Sequence, residues 1–322
     1  MSKSKQTKQK QTINLEDLDE NTLQLLQLLQ QEKDRTSVGY KERVETLNFF
    51  KIFSREWRIK ESKATIIILH GYGEYSGRYT KAGEFFSKMG YNVFMPDLPG
   101  HGRSSGLPNR GYTYIDSLQT YIDTLNQYIE YVKYDMNERG VGSTPLFFFG
   151  HSMGGLLTSM LARQRGDIRA FVASAPAYIV KASILYTLWY LWLIILLILP
   201  NFVMETGGSS MEMMNNPEVA MDYDKDPYTY QGKVCAKTTI EMARQGWIER
   251  DLDVTVPFYL MHGDADTLID VEGSRRKQKH LKNPLSKYVE YPGANHVLLE
   301  EKNQNKILIE IEKWLDGIIK QE

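Results

Sequence analysis

One serine of the chain is flanked by glycines in a pattern that can build a nucleophile: Gly150-His-Ser-Met-Gly154, with a further glycine at 155. The G-x-S-x-G pattern alone is weak. With glycine and serine each near 7% of residues, a chain of this length matches by chance roughly one time in ten. The setting adds weight. Pro145 to Gly150 (PLFFFG) reads as a buried strand and Met153 to Arg165 as a helix. Small residues between them permit the strained turn that lifts a serine hydroxyl above a sheet. Amides at the start of the following helix favour negative charge there. A glycine-rich turn with an incidental serine is the rival reading, and it weakens as partners for Ser152 are found.

A serine hydroxyl is a poor nucleophile until a base takes its proton. Six histidines are available. His70 and His262 end strands before glycine, His101 lies in a loop, His151 adjoins the serine and His280 closes a polar helix. A structural role is expected for these five. His296 differs, because Tyr291-Pro-Gly-Ala-Asn-His296 forms a loop just past the last expected strand. The base in turn needs an acid to fix its tautomer and stabilise its cation. Asp264, Asp266 and Asp270 follow the strand Val256 to Met261, and spacing alone does not choose between the first two. The chain order serine, aspartate, histidine is the one expected of the α/β-hydrolase fold. Acyl transfer also needs two amides for an oxyanion. One is expected from Met153, directly after the serine, and the other from Tyr72, in the loop His70-Gly-Tyr-Gly73. A phosphate-binding role for that loop fits poorly, since it has neither the P-loop lysine nor the G-x-G-x-x-G spacing.

These groups must be held by something rigid. After Tyr40 the pattern alternates strands with helices, which argues for a mainly parallel sheet covered on both faces. Thr46 to Ile59 reads as one or two leading strands, and Ala64 to His70 as a short buried one. A helix capped by Ser76 ends near Gly90, and a strand from Asn92 to Met95 breaks at Pro96. A long helix fits Tyr114 to Glu138. Ile168 to Ala173, Val256 to Met261 and Tyr288 to Tyr291 are the later strands. Helices fit Glu272 to Leu281 and Lys306 to Ile319. The expected organisation is a basic tail and amphipathic helix over 1–35, a first core part over 36–175, an insertion over 176–245 and a second core part over 246–322.

Composition sets outer bounds. Of 322 residues, 42% are apolar and 25% charged, so a sizeable core can form. Thirty-nine basic residues nearly balance 40 acidic ones, which gives no footprint for nucleic acid. The single cysteine, Cys235, excludes an intramolecular disulfide or a cysteine-based zinc cluster, suits a reducing compartment and reads as a packing residue. Met1 to Thr12 carries four lysines and no apolar run, unlike a secretory signal.

With these residues in view, the sequence resembles monoacylglycerol lipases and the related lysophospholipase-like branch of the α/β-hydrolases, over roughly Phe50 to Trp314. The stretches that carry the resemblance are His70-Gly-Tyr-Gly-Glu-Tyr-Ser-Gly-Arg-Tyr79, Asp97-Leu-Pro-Gly-His-Gly-Arg-Ser104, Gly150-His-Ser-Met-Gly-Gly155, Gly263-Asp-Ala-Asp266 and Gly293-Ala-Asn-His296. Several matches in fixed order are far more specific than any one. The resemblance selects Asp266 over Asp264 as the acid and places the oxyanion amides on Tyr72 and Met153. It implies a lid inserted after about Ala175, with an apolar helix over an acyl tunnel, where Leu185, Leu188 and Trp192 would touch substrate. Met1 to Lys33 lies outside it.

The expected activity is therefore hydrolysis of an ester of a small lipid, first a long-chain monoacylglycerol and next a lysophospholipid or other carboxylic ester, with no metal or organic cofactor. A serine aminopeptidase and a catalytically inactive binding module are the rivals from other classes. Ile184 to Leu199 is almost wholly apolar, broken only by Tyr186, Thr187 and Tyr190. As a helix it would be about 24 Å long, short of the roughly 30 Å hydrocarbon core of a bilayer. Spanning is also excluded by topology, because Ser152 before it must meet Asp266 and His296 after it. The expectation is a cytoplasmic protein that touches membranes peripherally through residues 184–199, with a homodimer contact through the same face as the rival.

Overall fold

The computed structural model describes residues 39–107, 113–114, 117–181, 203–204, 210–230, 232 and 234–321. The basic tail, the amphipathic segment and the apolar run 184–199, with Leu185, Leu188 and Trp192, lie outside the described residues, as does the side chain of Cys235.

The chain opens on a hairpin, β1 (Gly39–Leu47) and β2 (Phe50–Arg58), joined by Asn48 and Phe49. Both turn residues have positive φ, 45° and 72°, the backbone of a two-residue turn whose twist matches its strands. Six further strands complete the sheet: β3 (Ala64–Leu69), β4 (Tyr91–Pro96), β5 (Leu146–His151), β6 (Ala170–Ser174), β7 (Phe258–Gly263) and β8 (Lys287–Tyr291). Their order is β1-β2-β4-β3-β5-β6-β7-β8. The β1–β2 and β2–β4 pairs are antiparallel and the others parallel.

The strands β3, β4, β5, β6 and β7 are buried along their whole length, which is why they read as unbroken apolar runs. Alternate residues serve opposite faces. Ile67, Leu69, Phe148, Phe171 and Leu260 join one core with α2 (Leu118–Glu138), α3 (Met153–Ala162) and α6 (Ala236–Glu249). On the other face Tyr91 meets Phe86 of α1 (Thr80–Lys88), and Tyr259 meets Trp314 of α8 (Gln304–Ile319). The two faces together make a mainly parallel sheet between two helical layers.

The connection β3–α1–β4 runs toward one edge, whereas β4–α2–β5 returns past β3 to its other side. The loops after β3 and β5 therefore part company, and that crevice at the carboxyl ends is where a sheet of this kind holds its chemistry. Between β6 and β7 lie three described helices: α4 (Ser210–Met213), α5 (Pro217–Lys225) and α6. Helix α7 (Val271–Gln278) follows β7.

Several expected boundaries move: the leading strand opens at Gly39 rather than Thr46, and the strand read from Val256 to Met261 runs Phe258–Gly263. The long helix starts at Leu118, capped by Ser117, rather than at Tyr114. Ser76 does not cap a helix: it sits in a short 3-10 turn, Ser76–Tyr79, and its hydroxyl donates to Asp97 Oδ1 at 2.5 Å.

Candidate active site

Ser152 follows the last residue of β5 and occupies the N-cap position of α3 with φ 53° and ψ −116°. A non-glycine residue there costs on the order of 1–3 kcal/mol and persists only where its surroundings enforce it. The surroundings are visible. The Ser152 amide donates to Ser174 O at 2.9 Å, and Ser152 O accepts from Leu156 and Ala177 at 3.0 and 3.1 Å. The glycines of the motif follow from the same turn. A Cβ on Gly150 would lie 2.2 Å from Gly154 O, and one on Gly154 would lie 2.4 Å from His70 O.

His296 arrives from the loop after β8. Its Nε2 is 3.0 Å from Ser152 Oγ and its Nδ1 is 2.7 Å from Asp266 Oδ2. A carboxylate only accepts, so Nδ1 carries the proton and Nε2 is left to accept from the serine. Asp266 Oδ1 also accepts from the amides of Leu268 and Ile269, both at 2.8 Å. Burial pushes the Asp266 carboxyl up, but the facing His296 and the donors around it outweigh that and hold it far below the usual carboxylate range. For His296 burial pulls downward, while the Asp266 carboxylate opposes it and leaves the ring above its ordinary value.

The other two acids have different work. Asp264 is exposed and accepts from the Gly293 amide at 2.6 Å, pinning the loop that carries His296. Asp270 caps α7 through the Glu272 amide at 3.0 Å. The loop after β3 passes beside the serine, since a Cβ on Gly71 would lie 3.2 Å from Ser152 Cβ. His70 holds the peptide between Gly71 and Tyr72. Its Nε2 accepts from the Leu98 amide at 2.9 Å, so its Nδ1 carries the proton and donates to Gly71 O at 2.7 Å. Met153 opens α3 directly after Ser152.

Comparison with known proteins decides the family. A family model described as "Serine aminopeptidase, S33" matches residues 60–303. The protein named monoglyceride lipase from Homo sapiens is 30% identical over 276 residues, covering 82% of this chain and 86% of its own. The monoacylglycerol lipase of Mycolicibacterium smegmatis is 27% identical over 264 residues, covering 79% and 89%. The chain belongs to the monoglyceride lipase-like branch of the α/β-hydrolases. A crystal structure of a soluble variant of monoglyceride lipase from Saccharomyces cerevisiae, bound to a substrate analogue, shares the fold with a TM-score of 0.76 at 21% identity, covering 89% of this chain and 97% of that one. The chain is thus a serine ester hydrolase. The family model carries an aminopeptidase's description, whereas the two relatives named above are lipases.

Around the lipase-like site lie groups to which sequence reasoning gave no part in it. The His151 ring stands 4.8 Å from that of His296. Burial, then the neighbouring His296, pulls His151 down to about 4, so it is neutral near pH 7. Glu74 is buried two residues after Tyr72 and accepts from the Gly71 amide at 2.9 Å and the Tyr79 hydroxyl at 2.8 Å. Burial raises it, but His151 and those donors leave it below the usual range and therefore charged. His262, expected to be incidental, reaches Asp266 Oδ2 at 3.1 Å. Glu74 lay within a quoted motif, and its signal was an acid directly after an apolar strand and a glycine-rich loop. Among the described residues no group of acids, histidines and cysteines is arranged to hold a metal ion, and no helix is long and apolar enough to cross a membrane.

Proposed function

We propose that this chain hydrolyses a long-chain monoacylglycerol to fatty acid and glycerol, with Ser152 as nucleophile, His296 as base and Asp266 as the orienting acid. The observation that carries the reading is the unbroken run of contacts from Ser152 Oγ through His296 to Asp266, at 3.0 and 2.7 Å. Ser152 Oγ attacks the ester carbonyl while its proton passes to His296 Nε2. The amides of Tyr72 and Met153 take the developing oxyanion, and His296 returns the proton to the departing glycerol oxygen. Water, deprotonated by the same imidazole, then releases the fatty acid from Ser152. The substrate class is supported by the names of the relatives and by the apolar sequence of residues 184–199, which we read as a peripheral contact with a lipid surface.

A fluorophosphonate probe and three substrates test the reading: a long-chain monoacylglycerol, a lysophospholipid and an aminoacyl amide. Wild type should label and prefer the monoacylglycerol. Ser152→Ala should lose labelling and nearly all turnover while keeping its melting temperature within a few degrees. Retained labelling in Ser152→Ala would remove the serine from the mechanism. Faster turnover of the aminoacyl amide would favour a peptidase.

A further inference from the structure

We infer that His262 is a positioning residue for the acid of the triad, an assignment that rests on the triad reading proposed above. His262 stands one residue before the end of β7, with its side chain fully buried. Its Nε2 lies 3.1 Å from Asp266 Oδ2, the same oxygen that faces His296 Nδ1 at 2.7 Å. Two imidazoles therefore converge on one carboxylate oxygen.

The hydrogen-bond inventory fixes the roles. The carboxylate can only accept, so Nε2 of His262 carries a proton and donates it. Its Nδ1 lies 2.7 Å from Ser274 Oγ, a buried hydroxyl on α7 that holds the other side of the ring. Ser274 thereby helps to fix the ring plane of His262, and His262 in turn fixes Oδ2.

Position matters here because the two carboxylate oxygens are held differently. The amides of Leu268 and Ile269 anchor Oδ1 from the acid's own loop. Without His262, Oδ2 would rest on His296 alone, and the carboxylate plane would follow the base rather than direct it. The Asp266 side chain has no exposed surface through which water could replace the lost donor. A second donor on Oδ2 also shares the negative charge that holds the His296 proton. His262 thus bears both on where His296 points and on how basic it is. The charged and titratable groups that face His262 are Asp266, His296 and His151 at the site, and Glu290, its register partner on β8, whose carboxylate is paired with Arg275.

Three variants test this with a short soluble ester. His262→Leu removes the donor and should lower kcat roughly 10- to 100-fold with KM within about twofold, as expected when a catalytic group is misplaced by a fraction of an ångström. The acid limb of its kcat/KM profile should move to higher pH, because Asp266 shares its charge with one donor fewer. His262→Gln places an amide N–H near the position of Nε2 and should restore most of kcat and return the limb toward wild type. Ser274→Ala should fall between them, and it carries the test if His262→Leu fails to fold, with an unchanged kcat and pH limb overturning the proposal. An equal loss of kcat in the Leu and Gln variants, with the limb unmoved, would indicate packing alone and also overturn it. Ser152→Ala run beside them separates the two levels. If it retains turnover the triad reading fails, whereas an inactive Ser152→Ala beside a wild-type-like His262→Leu removes only the role of His262.

Discussion

At the scale of single residues, three aspartates within seven positions of each other do three jobs, and only the fold separates them. Asp266 faces His296, Asp264 holds the Gly293 amide and Asp270 caps a helix. Composition makes them equivalent, and the spacing of Asp264 and Asp266 leaves either within reach of a base on a neighbouring loop. Ser152 and His296 were legible because each sits beside a strand end marked by glycine. His151 was not, since nothing near it in sequence tells that its ring meets that of His296 on a distant loop, and spacing alone does not tell that His262 turns its ring onto the carboxylate four residues on. The distinction between the acids gives a sharp expectation. Asp266→Asn should cost kcat several orders of magnitude, on the scale of the roughly 10⁴ seen when such an acid is neutralised. Asp264→Asn should cost less than about tenfold. The base works only when neutral, so kcat/KM rises through the His296 pKa. In wild type that limb should lie above the ordinary value of an imidazole. Removing the Asp266 charge leaves burial as the dominant influence, and the limb should move to lower pH in Asp266→Asn. A pH–rate series on both variants checks the ranking and the direction, and the reverse ranking would make Asp264 the acid.

Elements were easiest to read where both faces are buried, and hardest where a polar residue serves a distant partner. The central strands show as apolar runs because the sheet is covered on two sides. Ser76 has the type of a helix cap, yet it is claimed by Asp97, 21 residues on, with Arg55 donating to it at 2.5 Å. Sequence alone could not show that the loop 97–104 would return there. The described helices between β6 and β7 bind back to the site's loops: Asn215 donates to Gly293 O at 2.8 Å, and Thr267 to Glu212 O at 2.7 Å. These contacts join segments with no shared periodicity, so no pattern announced them. The apolar sequence 184–199 lies in the same stretch of chain between β6 and β7 and leads to the next expectation. Each large apolar side chain transferred from water is worth roughly 1.5–3 kcal/mol, so three or four entering a lipid interface give reversible binding. Replacing Leu193, Leu196 and Leu197 by serine should reduce flotation with liposomes and turnover of membrane-presented substrate, while sparing a short soluble ester. Unchanged flotation, together with a dimer turned monomer in light scattering, would assign the segment to self-association instead.

For the molecule as a whole, the groups that make the site also make it sensitive to acid. His101 and His151 are buried, and burial, with a neighbouring histidine in each case, pulls them down to about 3 and about 4. His70 is lowered as well, again by burial first. An unfolded chain takes up protons on such histidines near pH 6.5, whereas the folded one does not until far lower pH. Between those limits the unfolded state binds more protons, so folding stability falls as pH falls, by up to about 1.4 kcal/mol per pH unit for each group. Asp266 and Glu74, both lowered, add to the loss once pH drops below the ordinary carboxylate range. His296 has the opposite sign: raised when folded, it contributes stability below about pH 6.5 that is lost as pH climbs through its folded value. Glu56, Glu300 and Glu312 are raised chiefly by burial, and they too favour the folded state as they protonate. Between about pH 6 and 5 the three lowered histidines therefore act toward a loss, opposed by His296 and by the raised glutamates. His101 offers the cleanest measurement. Its Nδ1 donates to Pro99 O at 3.1 Å, its Nε2 meets no hydrogen-bond partner among the described residues, and its ring packs against those of His70 and Tyr72. Asparagine can supply the same donor without titrating. His101→Asn should therefore flatten the fall in unfolding free energy between pH 6 and 5 by about 1 kcal/mol per pH unit, measured by urea titration at each pH, with kcat at pH 8 within a few-fold of wild type. A slope identical to wild type would show that His101 is not held neutral in the folded protein, and would shift the acid sensitivity to His70 and His151.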